Sequence, residues 1–587
     1  MVFVEMYLYL LTNKNKVLPL ITIIIILLSI GFLRYHDIAK QFGHGDDLVV
    51  PVLVLDAMDL NREGNVGSDY FNRSLSKIVP EEYIDLIKKV AINLYPYVSV
   101  PSSQNYAAGQ YFIYPLILNE TQSYEDKKLF SRIPSFIFSM LALLCLAIGS
   151  SILDLKNSNW FRVIPLLILA CSLESHIYSR FSMPYSAGVF SASMLLLSFI
   201  LFYKKKINEF ILSVILSISL ILNYQSWVSI PVISVIVLYL LFCRYTSKIN
   251  IMIGALKVSI LPILTIIISF IVFLKHKKFT AITYNSGVNN EYLYNYQINS
   301  ILDLYNLLNK FINNLFMDVW LMFLPLSFND IVNKTSSIII FILLIGGITL
   351  MFKSSGLLRL ISIIAALFLM QIIILGLVNV FPMGPTRHFL YYAPFFSIPI
   401  SYVLYCVVNQ ISKFLKNIIY VHIFSVIALA SYFIFSVFSF VNYNLSGMDP
   451  FNQKYIDEIV NDVMPDSVVS GDCSFQFRLA NYIYLKTPIF YSCGGQIRWQ
   501  GLINLESKPN KILYISYAEP LNKEWISVFF NSANIKIKNE YFNSDINKWK
   551  INILTNSHGD YALEALNYTD HIYGRNDIYI SIIDLVK

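Results

Sequence analysis

Residues 43–47 of this 587-residue chain read Gly43-His44-Gly45-Asp46-Asp47. Adjacent carboxylates repel, so one of Asp46 and Asp47 holds its proton more tightly unless a cation offsets the charge. Such a pair can act as a general base, as a ligand for a divalent cation such as Mg or Mn, or as both. The same residue types also build ordinary solvated turns. A second group is Leu173-Glu174-Ser175-His176-Ile177-Tyr178-Ser179-Arg180, followed by Pro184-Tyr185. A third is Met383-Gly384-Pro385-Thr386-Arg387-His388. Arginine presents two parallel donors that match a phosphate, which Arg180 and Arg387 can each supply. A fourth stretch, Pro101 to Pro115, carries Gln104 and Tyr106; amide donors beside aromatic faces suit sugar hydroxyls. An amphipathic surface helix is the plainer reading of that stretch.

These groups need a scaffold, and the composition names it. Hydrophobic residues make up 56 % of the chain and charged residues 14 %, with mean hydropathy +0.58. A soluble domain carries about 25 % charged residues. Apolar runs recur at 17–33, 133–150, 161–175, 184–203, 209–222, 226–242, 257–274, 336–352, 359–380, 391–408 and 418–441. They predict about eleven membrane helices, each near the ~20 residues that cross a bilayer. Residues 34–37, Arg-Tyr-His-Asp, follow the first run where a cleavable signal would carry small residues, so that helix is expected to stay uncleaved.

With the N-terminus in the cytoplasm, the inner loops hold Lys156, Arg162, Lys204, Lys205, Lys206, Arg244, Lys248, Lys353, Arg359, Lys413 and Lys416. The short outer loops hold only Arg180 and Arg387, which fits the positive-inside rule and makes those two arginines exceptions to it. The expected organisation is a cytoplasmic tip with the first helix at 1–33, then a large outer loop with the acidic pair at 34–132. A transmembrane bundle follows at 133–441, with an outer loop at 275–335 whose 316–328 stretch is apolar enough to dip into the bilayer. An extracytoplasmic α/β domain at 442–587 ends the chain. Its strands are expected at 468–470, 489–491, 512–517 and 578–583, and a helix at 475–485. The fold class is therefore mainly α, a polytopic helical bundle with a small terminal α/β domain. Cys473 and Cys493 either bridge that domain in an oxidising compartment or stay as thiols. No nucleotide-binding or zinc-protease motif occurs, and nucleic acid is not an expected partner.

The layout and four local matches resemble the GT-C membrane glycosyltransferases, which include the protein mannosyltransferases and the aminoarabinose lipid A transferases. His44-Gly45-Asp46-Asp47 looks like the acidic motif of their first outer loop. The Ser102-to-Pro115 stretch is similar to the later part of that loop. Ser179-Arg180-Phe181-Ser182-Met183-Pro184-Tyr185 looks like their Arg-containing approach to the fourth helix. Arg387-His388-Phe389-Leu390, then Ala393-Pro394, is similar to their "R-Y-L-L-P" approach to a late helix. Two departures stand out: Asp47 replaces a common Glu, and Tyr185 stands where an acidic residue is common, so Glu174 is taken as the second carboxylate. The large outer loop and tail also resemble, in architecture alone, the serotype-converting O-antigen glucosyltransferases.

The resemblance implies a multi-pass protein of the bacterial inner membrane that moves a sugar from a polyprenyl-phosphate donor to a glycan, lipid or protein acceptor on the outer face, as in O-antigen or lipopolysaccharide modification. It implies catalytic roles for Asp46, Asp47 and Glu174, donor-phosphate binding by Arg180, Arg387 and His388, and substrate contacts from His44, Gln104, Tyr106 and Tyr185. Asp46 and Asp47 would hold a divalent cation if the enzyme needs one. An O-antigen polymerase or ligase, a flippase or transporter, and a receptor are the competing readings. The first commonly lacks a folded tail, and the second calls for charges or broken helices at membrane midplane.

Overall fold

The computed structural model describes residues 14–39, 124–153, 160–182, 185–222, 226–280, 300–313, 315–316, 319–324, 330–377, 386–415 and 418–446, the isolated residues 113 and 117, and five strands between 467 and 585. It is mainly helical. The helices are α1 (Lys14–Tyr35), α2 (Tyr124–Ile152), α3 (Ile164–Ala170), α4 (Leu173–Tyr178), α5 (Tyr185–Tyr203), α6 (Glu209–Leu222), α7 (Ser226–Arg244), α8 (Lys248–Thr280), α9 (Ile301–Asn313), α10 (Asp330–Phe352), α11 (Leu357–Leu377), α12 (Ala393–Leu415) and α13 (Ile418–Ser446). Among the described residues, six helical stretches are long and apolar enough to cross a membrane, in α2, α5, α8, α10, α11 and α12. Shorter apolar stretches lie in α1, α6, α7 and α13.

The buried residues of α1, Ile23, Ile26, Ile30 and Arg34, recur at helical spacing and form one inward stripe. Leu20, Ile24, Leu28 and Phe32 face outward. Exposed apolar residues on one side of a helix are costly in water and stable against lipid, and α8 shows the same pattern at Met252, Leu256, Ile260 and Ile263. Between helices, small polar residues allow close approach: Ser191 of α5 donates to the Ser219 carbonyl of α6 at 3.0 Å. At the α10–α12 crossing, a Cβ on Gly347 would lie 2.1 Å from the Pro399 carbonyl oxygen. Gly347→Ala must therefore push the two helices apart. A loss of about 1–3 kcal/mol is expected from overpacking, read as a lower midpoint in thermal unfolding of the detergent-purified protein; an unchanged midpoint would show that α10 and α12 do not cross so closely.

Two sets of contacts mark the ends of the bundle. At one end the basic loops gather. Arg244 Nε pairs with Glu209 at 3.0 Å, and Tyr245 donates to the same carboxylate oxygen at 2.6 Å. Arg244 Nη1 also donates to the Ile207 carbonyl at 3.2 Å, and its guanidinium lies 4.6 Å over the Phe202 ring. Arg359 Nε closes its own loop by donating to the carbonyls of Phe352 and Ser354. The other end holds the C-termini of α1 and α13, the N-terminus of α2, and α4.

The expected span at 161–175 is not one crossing helix. It is α3, seven residues long, and then α4, six. Seven residues rise only about 10 Å. The chain breaks at Ser172, which takes an extended conformation (ψ 122°) and accepts the Ser175 N–H at 3.0 Å as the N-cap of α4. Both helices are wholly buried. Within the 316–328 stretch, the described residues enter the packing: Val319–Phe323 forms a 3₁₀ turn with Val319, Trp320, Met322 and Phe323 fully buried. Trp320 Nε1 donates to the Leu315 carbonyl at 2.7 Å, and Tyr432 of α13 donates to the Phe323 carbonyl at 2.8 Å. Before it, α9 exposes Ile301, Leu302, Tyr305 and Leu308, while Leu307 and Phe311 pack on the core.

The tail contains a five-stranded mixed sheet, β1 (Ser467–Ser470), β2 (Ile489–Tyr491), β3 (Lys511–Ser516), β4 (Ile535–Asn543) and β5 (Ile578–Leu585), in the order β2-β1-β3-β5-β4. β1 pairs parallel with β2 and β3; β5 runs antiparallel to β3 and β4. Four strands fall where the sequence pattern puts them; β4 was not expected. Residues 475–485, Cys473 and Cys493 lie outside the described residues.

Candidate functional site

α1 ends where Asp37 adopts the left-handed conformation (φ 55°), one that Asp tolerates better than most side chains. The last carbonyls of a helix lack partners within it. Here Arg180 supplies them: its Nη1 donates to the carbonyls of Leu33 (2.9 Å), Arg34 (3.0 Å) and His36 (2.8 Å). One nitrogen with two hydrogens meets three oxygens, so at least one bond is shared. A cation also suits the negative end of the helix dipole. Arg132 of α2 makes the next contact along the chain, donating from Nη1 to the Ile38 carbonyl at 2.7 Å with its guanidinium over the Phe181 ring.

α4 is held from three sides. Ser172 donates to the Met322 carbonyl, and the Leu173 N–H donates to Leu324 at 3.1 Å. His176 stacks on Phe440 of α13, ring centroids 4.1 Å apart and nearly parallel. Asn444 of α13 donates from Nδ2 to the Leu33 carbonyl at 2.9 Å, so its Oδ1 is left to accept from His176 Nε2, also at 2.9 Å. That assigns the Nε2–H tautomer to His176. Burial, then the charge of Arg180, hold the His176 pKa well below the usual histidine range despite the Asn444 bond. Arg34 donates from Nη2 to Ser175 Oγ at 3.0 Å.

Arg34, Lys128, Arg132 and Arg180 are all 0 % exposed, and Glu174 is 4 % exposed. Among the described residues this end therefore buries four cations and one carboxylate.

Of the residues singled out from sequence, Glu174 lies on α4, Arg180 just after it and Tyr185 at the start of α5, all three buried. Tyr185 packs on Tyr178 with ring centroids 4.6 Å apart, and Ser186 donates to the Tyr178 carbonyl. The 3₁₀ turn Thr386–Tyr392 carries Arg387 and His388 and packs against α4, α5 and Val319–Phe323. The side chains of Arg387 and His388 lie outside the described residues, as do His44, Asp46, Asp47, Gln104 and Tyr106. Sequence reasoning missed Arg34, Lys128, Arg132 and Asn444. Their signal was position: each sits at or near the end of an apolar run. No three His, Cys, Asp or Glu side chains gather as metal ligands among the described residues. Comparison with models of known protein families and with curated proteins returned no match.

Proposed function

We propose that this chain is an integral membrane glycosyltransferase of the GT-C type. In this reading it transfers a sugar from a polyprenyl-phosphate donor to a cell-surface glycan, lipid or protein, in the manner of O-antigen modification. The observation that supports the reading is convergence: α4, which carries the buried Glu174, packs against the Arg387 turn, and Arg180 just after α4 bonds to the end of α1, nine residues before His44. Asp46 takes the acceptor hydroxyl's proton as its oxygen attacks the anomeric carbon, and the bond to the polyprenyl phosphate breaks. Cations offset the charge that develops on the departing phosphate. Arg387 is assigned the phosphate, since Arg180 already commits Nη1 to the carbonyls of α1. The direct test is transfer from a synthetic polyprenyl-phosphate sugar by the purified protein, with mass spectrometry of surface glycans from cells with and without it.

The same reading sets the sidedness. The basic loops at Lys204–Lys206, Arg244 and Arg359 face the cytoplasm, and α4 and the tail lie outside. Single cysteines placed at 204–206 and in 442–587 should react with an impermeant reagent from opposite faces of the membrane. Labelling of both from one face would overturn the topology and the reaction site with it.

A transporter is the second reading, favoured by one observation: the buried break at Ser172 beside Arg34 and Arg180 is the kind of discontinuous helix that carriers use. Uptake of a labelled substrate into protein-containing vesicles that persists in Asp46→Asn would favour it.

A further inference from the structure

Helix α9 (Ile301–Asn313) carries two apolar rows side by side. Leu307 and Phe311, four residues apart, pack on the core of the bundle. Ile301, Leu304, Tyr305, Leu308 and Ile312 recur at helical spacing beside them, and all are exposed. Asn306 and Asn309 are exposed on another side of the helix, where Asn313 donates to Asn309 at 3.5 Å. A contiguous row of bare apolar side chains is unfavourable in water. The 13 residues of α9 rise about 20 Å, too little to cross the ~30 Å hydrocarbon core.

The attachment of α9 fixes its depth. Three residues past its end, Phe316 packs edge-on against Phe341 of α10, ring centroids 4.9 Å apart. Phe341 lies seven residues in from Lys334, where the membrane-length stretch of α10 begins. Trp320 packs on Phe396 of α12, seven residues in from Phe389, where the stretch in α12 begins. Both stretches begin at the end of the bundle that holds α4. Seven residues are about 10 Å of helix rise, so the chain leaving α9 meets the bundle about 10 Å inside the ends of two spans. Ile339 and Ile342, on either side of Phe341, are exposed, so α9 joins α10 next to a lipid-facing row. At that depth the medium around the bundle is acyl chain.

We propose that α9 is a lipid-embedded helix, its exposed apolar row among the acyl chains of the leaflet on the α4 side and its asparagines turned to the headgroups. The Val319–Phe323 turn begins six residues after α9, and its Met322 carbonyl accepts from Ser172 at the N-cap of α4. Lipid contact by α9 therefore steadies the turn that holds α4. The contact is separate from the transfer reaction and holds whether or not the chain moves a sugar.

The test uses the full-length wild-type protein in nanodiscs of phosphatidylcholine whose acyl chains carry a photoactivated diazirine. Peptide mass spectrometry after illumination reads where the carbene inserts. Adducts should appear at Tyr305, Leu308 and Ile312, at yields within about tenfold of those at the exposed Met252 and Leu256 of α8, since an interfacial helix sinks about 5–10 Å into the headgroup–acyl boundary. Asn306 and Asn309 should carry few. Tyr305→Asp combined with Leu308→Asp spares Leu307 and Phe311. It should cut the α9 adducts about tenfold or more while those of α8 hold, because two carboxylates keep the helix out of hydrocarbon. The wild-type map carries the test alone if the double variant does not fold. Adducts on α8 with none between 301 and 312 overturn the proposal and assign the row to a protein cover, a second copy or the tail. Unchanged α9 adducts in a folded double variant overturn it as well.

Discussion

Asp46→Asn is expected to lower sugar transfer about 10²-fold or more, the usual contribution of a positioned general base. The substitution keeps the side chain's volume and removes its charge, so packing near the first outer loop changes little. Asp47→Asn should cost less. If Asp46 instead anchors a divalent cation, Asp46→Glu and excess Mg or Mn should restore part of the rate; a pure base should gain nothing from metal. Near-normal transfer by a well-expressed Asp46→Asn protein would remove the acidic pair from the chemistry altogether. The same assay on Arg387→Lys separates a forked phosphate contact from a simple charge, since Lys keeps only the latter.

Arg180→Gln is expected to destabilise the fold by about 3 kcal/mol or more, because it strips a charged donor from three carbonyls in a dry environment. Arg180→Lys keeps the charge but concentrates it on one flexible ammonium, and should recover part of that loss. The readout is the unfolding midpoint beside the transfer rate at a temperature where both variants are folded. A capping role predicts that the midpoint falls first and that transfer falls with it. A drop in transfer at an unchanged midpoint would move Arg180 from scaffold to substrate.

The helical, membrane-like character was legible because repeated apolar runs near bilayer length have few other uses, and six helical stretches among the described residues are long and apolar enough to cross a membrane. The break between α3 and α4 was not. Residues 164–173 read as an unbroken apolar run with Cys171 and Ser172 inside it, with no glycine and with Pro165 only at the start. What turns the chain is a tertiary acceptor, the Met322 carbonyl, 150 residues away. Arg34 and Arg132 were illegible for the same reason, since a span-flanking arginine looks like a snorkelling one until its partners are placed. β4 hid behind its own composition. Ile535-Lys536-Ile537 alternates, but a register shift between Ile537 and Asn539 ends the alternation. The strand also lies at the sheet edge, where lysines guard against unwanted pairing. At the site itself, sequence located the α4 segment and the Arg387 turn but could not say which arginine turns inward to the carbonyls.

The hold of Arg180 and Asn444 on the end of α1 bears on how the chain is made. The Leu33 carbonyl waits for Arg180, 147 residues downstream, and for Asn444, 411 residues downstream. Helices inserted one after another must therefore hold the end of the first in a provisional state, its carbonyls met by water or headgroups, until the last helix emerges. Nascent chains halted before residue 444 should leave α1 loosely associated and open to insertase or quality-control factors, and completion of α13 marks the moment at which the bundle closes.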